Sequence, residues 1–520
     1  MTETTYLLWL LLIPLLLSLL AFVARWFGAL TRIIVVLAHL VSVTLVLVLS
    51  VLTVQAVLGS GRVFGFSGWL HVDALGAVFL LITGVVSFLI GLYSIGYTDQ
   101  QLRTGGFDSR KLSTYYGLFN LFLFTMLLLV TSNNIIMMWV AMEAGTLGSA
   151  FMVGVHGDRA SLEAAWKYLV ICLVGEAFGL YGTVLVYSAA FNTLQVPANA
   201  VLWTEILKNA QALDPAMIKI AFVFVLVGFG TKAGLFPMHA WLPDTYSEAP
   251  SPVSAMLSAV FATCALLVIF RFSVITSIVL GPSFVQILFL VFGTISVAAA
   301  SFFMYVQHDV KRLLAYSSIE NIGFILVAFG LGGPAGIFAG LLQTINQSLV
   351  KSLLWCASGN IFIKYRARNL ERVKGILQAI PATGVLLIVG ALAVVGSPPF
   401  NIFLSKFLIV TAGLAAGYTW LMIVCLLLLL VVFAAFFRFI ASMLFGEKPQ
   451  DVAAGESNWL TLLPGGVLIL LILGLGLFIP SPLTALLRGA SGLLLTGNAG
   501  GQIAVTDVKD FLLPLARLLR

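Results

Sequence analysis

The stretch GFGTKAGLFPMHAWLPDTYSEAPSPVSAML, residues 228–257, decides the fold. It sets a single cation, Lys232, at the end of an apolar run, and Pro237 follows shortly after it. A charged lysine at bilayer depth is costly, so such residues face a protein interior or water and mark ion paths. Proline removes a backbone donor and breaks a helix, and the freed groups can be satisfied only inside protein or against water. A lysine beside a discontinuous helix is a part from which ion translocators are built. The bland alternative is a lysine snorkelling from a helix end. Apolar sequence upstream and the interruption downstream argue against it.

Composition settles the solvent. The chain has 520 residues, 61% of them hydrophobic and 9% charged, where soluble domains carry about 25% charged residues. Its mean hydropathy is +1.11. This predicts an all-α polytopic membrane protein. Tyr6 to Val23 has no basic leader and no small-residue cleavage site, so it reads as a first span rather than a signal peptide. Cys172, Cys264, Cys356 and Cys425 are single and lie in apolar runs, as small core residues do.

Hydropathy and turn chemistry predict about fourteen spans, near 5–23, 33–55, 72–97, 115–131, 134–154, 164–189, 216–246, 252–272, 283–306, 313–331, 335–363, 377–412, 417–444 and 459–480. Two of them, 216–246 and 377–412, are interrupted. The stretch 482–520 ends in DVKDFLLPLARLLR, which is too short and charged to span and reads as an amphipathic interfacial or partner-docking tail. Loops after odd-numbered spans and the adjoining span ends hold fifteen Lys and Arg, Lys311 among them, and the opposite side holds four, Arg62, Lys208, Lys219 and Arg271, the tail aside. The fifteen are therefore expected in the cytoplasm and the N-terminus outside. The net charge of +7 speaks of orientation in a membrane, not of nucleic acid.

Charged residues at depth carry the chemistry. Glu143 lies mid-span five, Glu176 mid-span six, Lys232 on span seven, Lys351 on span eleven, and Lys406 follows the break in span twelve. Burial favours the neutral form of each, whereas a neighbouring opposite charge restores ionisation. A lysine held between these influences can take and release a proton, and a static buried ion-pair network would use the same residue types. In LLQTINQSLVKSLLW, residues 341–355, Gln343, Gln347 and Lys351 recur every fourth residue on one face. They cover about 12 Å of depth. Such a face can order a file of water or glue helices together. Glu163 and Lys167 form an i,i+4 pair near an end of span six. His239 and Asn321 complete the supporting polar set.

These stretches, with HDVKRLLAYSSIENIGF (308–324) and GSPPFNIFLSKF (396–407), carry a family resemblance over roughly residues 70–445. The chain resembles the antiporter-like, proton-conducting membrane subunits of complex I, Mrp-type sodium/proton antiporters and energy-converting hydrogenases. AYSSIE and AAWKY point to the hydrogenase-4 component F type. The resemblance implies two inverted five-helix repeats at 115–272 and 283–444, preceded by three helices within 1–114 and followed by helix fourteen at 459–480. It matches Glu143 and Lys232 to a switching pair, Lys351 to a central relay and Lys406 to a terminal relay. It departs where many relatives have histidines at the positions of Gln343 and Gln347 and near Asn321. Gln and Asn do not titrate near neutral pH, so water must carry a proton there or that half does not conduct.

The expected function is proton translocation within a redox-driven complex in a bacterial or archaeal plasma (inner) membrane. Its companions would be other membrane subunits and peripheral hydrogenase-like or complex I-like subunits. This chain shows no nucleotide loop or metal-ligand cluster, so iron–sulfur clusters and a nickel–iron centre are expected in partners. Alternatives are a cation/proton exchanger in an Mrp-like complex, moving sodium as well as protons, and an energising subunit for inorganic-carbon uptake. The charge bias predicts that the 364–376 loop is cytoplasmic. An impermeant thiol reagent applied to intact cells should label a cysteine in place of Thr4 but not one in place of Arg368, and the reverse pattern would refute the orientation.

Overall fold

The computed structural model describes residues 3–456 and 458–497. Two apolar helices come first, α1 (Glu3–Ala24) and α2 (Thr31–Ser60). An antiparallel ribbon of β1 (Arg62–Gly65) and β2 (Leu70–Asp73) follows, with Arg62 opposite Asp73. Then come α3 (Ala74–Arg103), α4 (Ser109–Thr131), α5 (Ile135–Val153), α6 (Arg159–Thr193), the short α7 (Trp203–Lys208), α8 (Pro215–Ala233) and α9 (Leu242–Glu248). A π-turn at Leu257–Phe261 joins α10 (Ser251–Met256) to α11 (Ala262–Leu280) in one continuous rod. The second half runs through α12 (Pro282–Tyr305), α13 (Val310–Leu331), α14 (Gly333–Tyr365), the short α15 (Ile376–Ala379), α16 (Pro381–Val395), α17 (Asn401–Ala415) and α18 (Thr419–Leu444). It closes with α19 (Leu463–Leu477) and α20 (Ser481–Thr496). The expected tail DVKDFLLPLARLLR lies outside the described residues.

Short polar side chains start these helices by accepting otherwise orphaned backbone N–H groups. Asp73 caps α3, Asp108 caps α4, Asn134 caps α5, Asp214 caps α8 and Asp309 caps α13. Among the described residues, twelve helical segments are long and apolar enough to cross a membrane. Helix α14 has 33 residues yet misses that criterion, because Gln343, Asn346, Gln347 and Lys351 dilute its apolar sequence. The halves α16 and α17 are each 15 residues long and make one broken crossing. The protein thus has the fourteen predicted crossings, with the seventh and twelfth interrupted.

Both breaks are built alike. α8 stops at Gly234 with φ 84°, and α16 stops at Gly396 with φ 85°. This left-handed conformation suits glycine because it has no Cβ. A β-carbon on Gly234 would also lie 2.4 Å from Leu242 Cδ1. Pro237 and Pro399 then follow at the same offset, so neither helix can resume at once.

Packing places the polar helices at the centre. Every residue in the most apolar window of the rod 251–280 is buried, as is 94% of that in α13, against 33% in α18 and 28% in α19. Lipid-facing helices spend apolar residues outward, which frees the enclosed ones to carry polar side chains.

The fragment α9, downstream of the first break, is held by the second half of the chain. Lys311 at the start of α13 donates to Ala249 O at 2.8 Å, closing the α9 C-terminus. Arg312 pairs with Asp244 at 2.6 Å, and Arg368 pairs with Glu248 at 3.0 Å. The strand-like link between Asp309 and Asn369 carries Arg368 to this place.

Two features were not read from the sequence. The ribbon 62–73 replaces the start of the third span, and its four-residue strands are too short to leave a periodic signal. Arg271, counted as a loop cation, is instead buried in α11. Its guanidinium grips the Asp73 carboxylate with Nη2 2.9 Å from Oδ1 and lies over the Trp203 ring at 4.3 Å. His71 is no substitute partner, since burial pushes its imidazole down to about 4 despite the nearby Asp73. Lys311 is likewise buried. Without these two residues the loop bias is still fourteen to three. Breaking a buried pair by removing one partner costs about 3–5 kcal/mol. Arg271→Met should therefore lower the thermal midpoint of the purified protein sharply. Adding Asp73→Asn, which removes the orphaned charge and keeps an acceptor for the α3 cap, should recover most of the loss. A double variant no more stable than the single one would refute the pairing as the anchor of the ribbon.

Candidate functional site: two buried lysine–carboxylate centres

Lys232 occupies the last turn of α8, where Gly234 ends the helix, and its ammonium is fully enclosed. Nζ lies 3.3 Å from Glu176 Oε1 on α6. It donates to Thr146 Oγ1 on α5 and to Tyr168 OH at 2.9 Å. Thr146 in turn donates to Glu176 Oε1 at 2.6 Å, and Ser149 meets Tyr168 at 2.8 Å. The rings of Tyr168, Phe261 and Trp241 lie 4.4, 4.9 and 5.7 Å from Nζ and add cation–π attraction. Thr146 is thus both acceptor from the lysine and donor to the carboxylate. A hydroxyl in that position can pass a proton by exchanging which bond it donates.

Glu143 is elsewhere. It is half-buried on α5, on the same stripe as Val140 and Leu147, which are 40% and 44% exposed. It feels the Lys232 charge but makes no ion pair with it. The switching pair that the resemblance assigns to Glu143 and Lys232 is therefore not a contact pair in this structure. Glu176, assigned a supporting place, holds the lysine. Glu176 Oε2 has no hydrogen-bond partner among the described residues, so this carboxylate keeps unused acceptor capacity.

The second centre gathers around Glu320 of α13, a residue of the 308–324 stretch that was not among the expected site residues. Lys406 of α17 donates to Glu320 Oε1 at 2.9 Å and to Val394 O at 3.3 Å. Val394 is in the last turn of α16, so the lysine spans the break. Glu320 Oε2 accepts from Asn321 at 2.6 Å. Asn321 Oδ1 accepts from Gln343 at 2.8 Å, and Gln343 Oε1 accepts from Ser405 at 2.5 Å. Ser405 directly precedes Lys406, which closes the ring. Lys351, fully buried on α14, donates to Ser317 Oγ and to Leu314 O at 3.0 Å. Its electrostatic neighbours are Glu320 and Lys406. Glu320 thus pairs with Lys406 and reaches Lys351 only through its field.

The remaining expected residues divide. Gln347 belongs to the same face, yet only its Nε2 finds a partner, Ser348 at 3.4 Å, and Oε1 has none. Glu163 and Lys167 form their pair at 2.7 Å, and Lys167 also reaches Asp244 at 3.3 Å. Both side chains are about half exposed, so the pair contributes little stability. His239 sits in the 234–241 break against Phe236, Phe303 and Tyr316, apart from either lysine. Among the described residues no three His, Cys, Asp or Glu side chains gather as a metal site.

The chain is similar to known membrane subunits. The family described as NADH:quinone oxidoreductase/Mrp antiporter, transmembrane, matches residues 132–433. The chain is 37% identical to the hydrogenase-4 component F homolog of Methylacidiphilum infernorum over 412 residues, 79% of this chain and 85% of that one. It is 29% identical to the Na(+)/H(+) antiporter subunit A1 of Staphylococcus aureus over 80% of this chain and 53% of that protein. A chain of the membrane-bound sulfane sulfur reductase, an archaeal respiratory membrane complex, superimposes with a TM-score of 0.83 at 26% identity, covering 96% of this chain and 99% of its own.

The ring around Glu320 makes a measurable distinction between the two glutamines. Gln343→Leu removes the donor to Asn321 Oδ1, orphaning that buried oxygen at about 1–3 kcal/mol, while Ser405 Oγ keeps Asn346 and the backbone. Gln347→Leu gives up one long bond and should cost far less. Thermal unfolding of the two purified variants compares them directly, and equal losses would refute the ring.

Proposed function

Since the chain belongs to the family of NADH:quinone oxidoreductase and Mrp antiporter membrane subunits, we propose that it translocates protons through its two buried lysine–carboxylate centres as a subunit of a redox-driven complex. One observation carries the reading: each broken helix has a lysine with a carboxylate within 3.3 Å, Lys232 with Glu176 and Lys406 with Glu320. Buried pairs seldom add net stability over apolar packing, so a repeated pair invites a functional explanation.

In this reading Lys232 gives its proton to Glu176 through the Thr146 hydroxyl when the field around it changes. Glu143, on its exposed stripe, supplies that change by meeting a charge on an adjacent subunit. Lys351 is the central relay and Lys406 the terminal one. Glu320 pairs with Lys406 and acts on Lys351 through its field alone, so a charge on either lysine disfavours a charge on the other. Gln343 and Asn321 keep Glu320 in place, and water carries the proton past them. The electron-transfer groups, iron–sulfur clusters and a nickel–iron or complex I-like centre, belong to companion subunits in this proposal. The surrounding membrane is a bacterial or archaeal plasma membrane with the N-terminus outside. Similarity to a sodium/proton antiporter subunit favours a second reading, exchange of a cation for protons.

The test uses the assembled complex in proteoliposomes, with proton uptake and redox turnover followed together. Lys232→Ala, Lys406→Ala and Glu176→Gln should each bring proton uptake to background while the complex assembles and turns over uncoupled. Parental uptake in assembled variants would leave the pairs as structural. Uptake that follows a sodium gradient with no redox substrate present would favour the exchanger.

A further inference from the structure

A cavity of about 680 Å³ opens where the start of α2, the end of α3 and the 458–460 segment come together. These three places adjoin loops of the end that bears the Lys/Arg excess. Arg32 and Arg103 stand on its rim, 58% and 71% exposed, with Asp99 between them. Arg103 Nε is 3.0 Å from Asp99 Oδ2, and Arg32 pairs with the other oxygen. One carboxylate against two guanidiniums leaves a positive charge unanswered. Each guanidinium carries five donors, so both keep N–H groups free for an acceptor such as a phosphate.

Below the rim the wall is apolar. Ile33 and Leu37 line the cavity, and beyond them the exposed face of α2 continues through Val41, Leu45 and Val48 at helical spacing. From 33 to 48 this track runs about 22 Å down the helix, the scale of an extended acyl chain. Trp459 sits at the mouth, 66% exposed, as indoles do at the boundary between headgroup and hydrocarbon.

We propose that this cavity binds an anionic phospholipid, with the phosphate between Arg32 and Arg103 and one acyl chain laid along α2. A free anion would satisfy the arginines but has no use for the apolar track. A second protein would have to answer the charge and fill the track at once. The lipid does both with one molecule. None of these residues takes part in the lysine centres, so the inference stands or falls apart from the proton reading.

The intact complex, stripped of lipid in detergent, is titrated with phosphatidylglycerol, and bound lipid is counted by native mass spectrometry. One molecule per chain should be retained about tenfold or more tightly than phosphatidylcholine of equal chain length, since the choline headgroup cancels its phosphate. Arg32→Gln with Arg103→Gln should abolish that preference, whereas Arg438→Gln, outside the cavity, should not alter it. Asp99→Asn should tighten phosphatidylglycerol binding, and it decides the matter if the double variant fails to assemble. Unchanged retention in the double variant, no tightening in Asp99→Asn, or equal binding of the two lipids overturns the proposal. So does inorganic phosphate that competes as well as the lipid, which would mark a free-anion site. A photoreactive side chain in place of Trp459 should cross-link lipid, and exclusive capture of a companion subunit would overturn the proposal in favour of a protein interface.

Discussion

A lysine in a dry interior must be surrounded before it can exist there as a cation, and this requirement shapes the protein. Lys232 needs a carboxylate, two hydroxyls and three aromatic faces, and these come from α5, α6, the π-turn and the break itself. No single helix can supply that set. The first half of the bundle has therefore to converge on one point, and the same holds around Lys406 in the second. Apolar packing alone would accept many arrangements of such helices, because lipid tails are as apolar as leucine. The charged centres select one.

The breaks follow from the same requirement. An unbroken helix would tie its carbonyls into its own hydrogen-bond ladder. Stopping α8 at Gly234 and α16 at Gly396 exposes carbonyl groups at depth. Val394 O uses this freedom directly by accepting from Lys406. Aromatic rings close the space around Lys232, and an amide and hydroxyl ring does so around Glu320. The two halves thus solve one problem with different chemistry.

Much of this was legible in the sequence because the signals were strong: crossings by length, breaks by Pro237 and Pro399, and lysines by their isolation. The partners were harder. Glu143 and Glu176 look alike as lone acids in apolar spans, and the difference lies in their flanks. Glu143 is bracketed by Val140 and Leu147, large residues that face outward. Glu176 shares its face with Cys172, Gly179 and Thr183, the small residues that let helices come close. Glu320 stood beside Ser317 and Asn321 with the same kind of polar face and was overlooked inside a longer motif. Arg271 could not be told from a loop cation, because its partner Asp73 is 198 residues away.

The hold of α13 and the 366–369 segment on α9 gives the molecule a seam of a particular kind. The fragment beyond the first break is closed by Lys311, and Arg312 and Arg368 fasten its carboxylates. The helix fragment just beyond Lys232 is thereby clamped by residues encoded 62 to 120 positions later. A gene fragment ending before that clamp would specify the lysine and its carboxylate, yet leave α9 with only the half-exposed Lys167–Asp244 pair to hold its carboxylates.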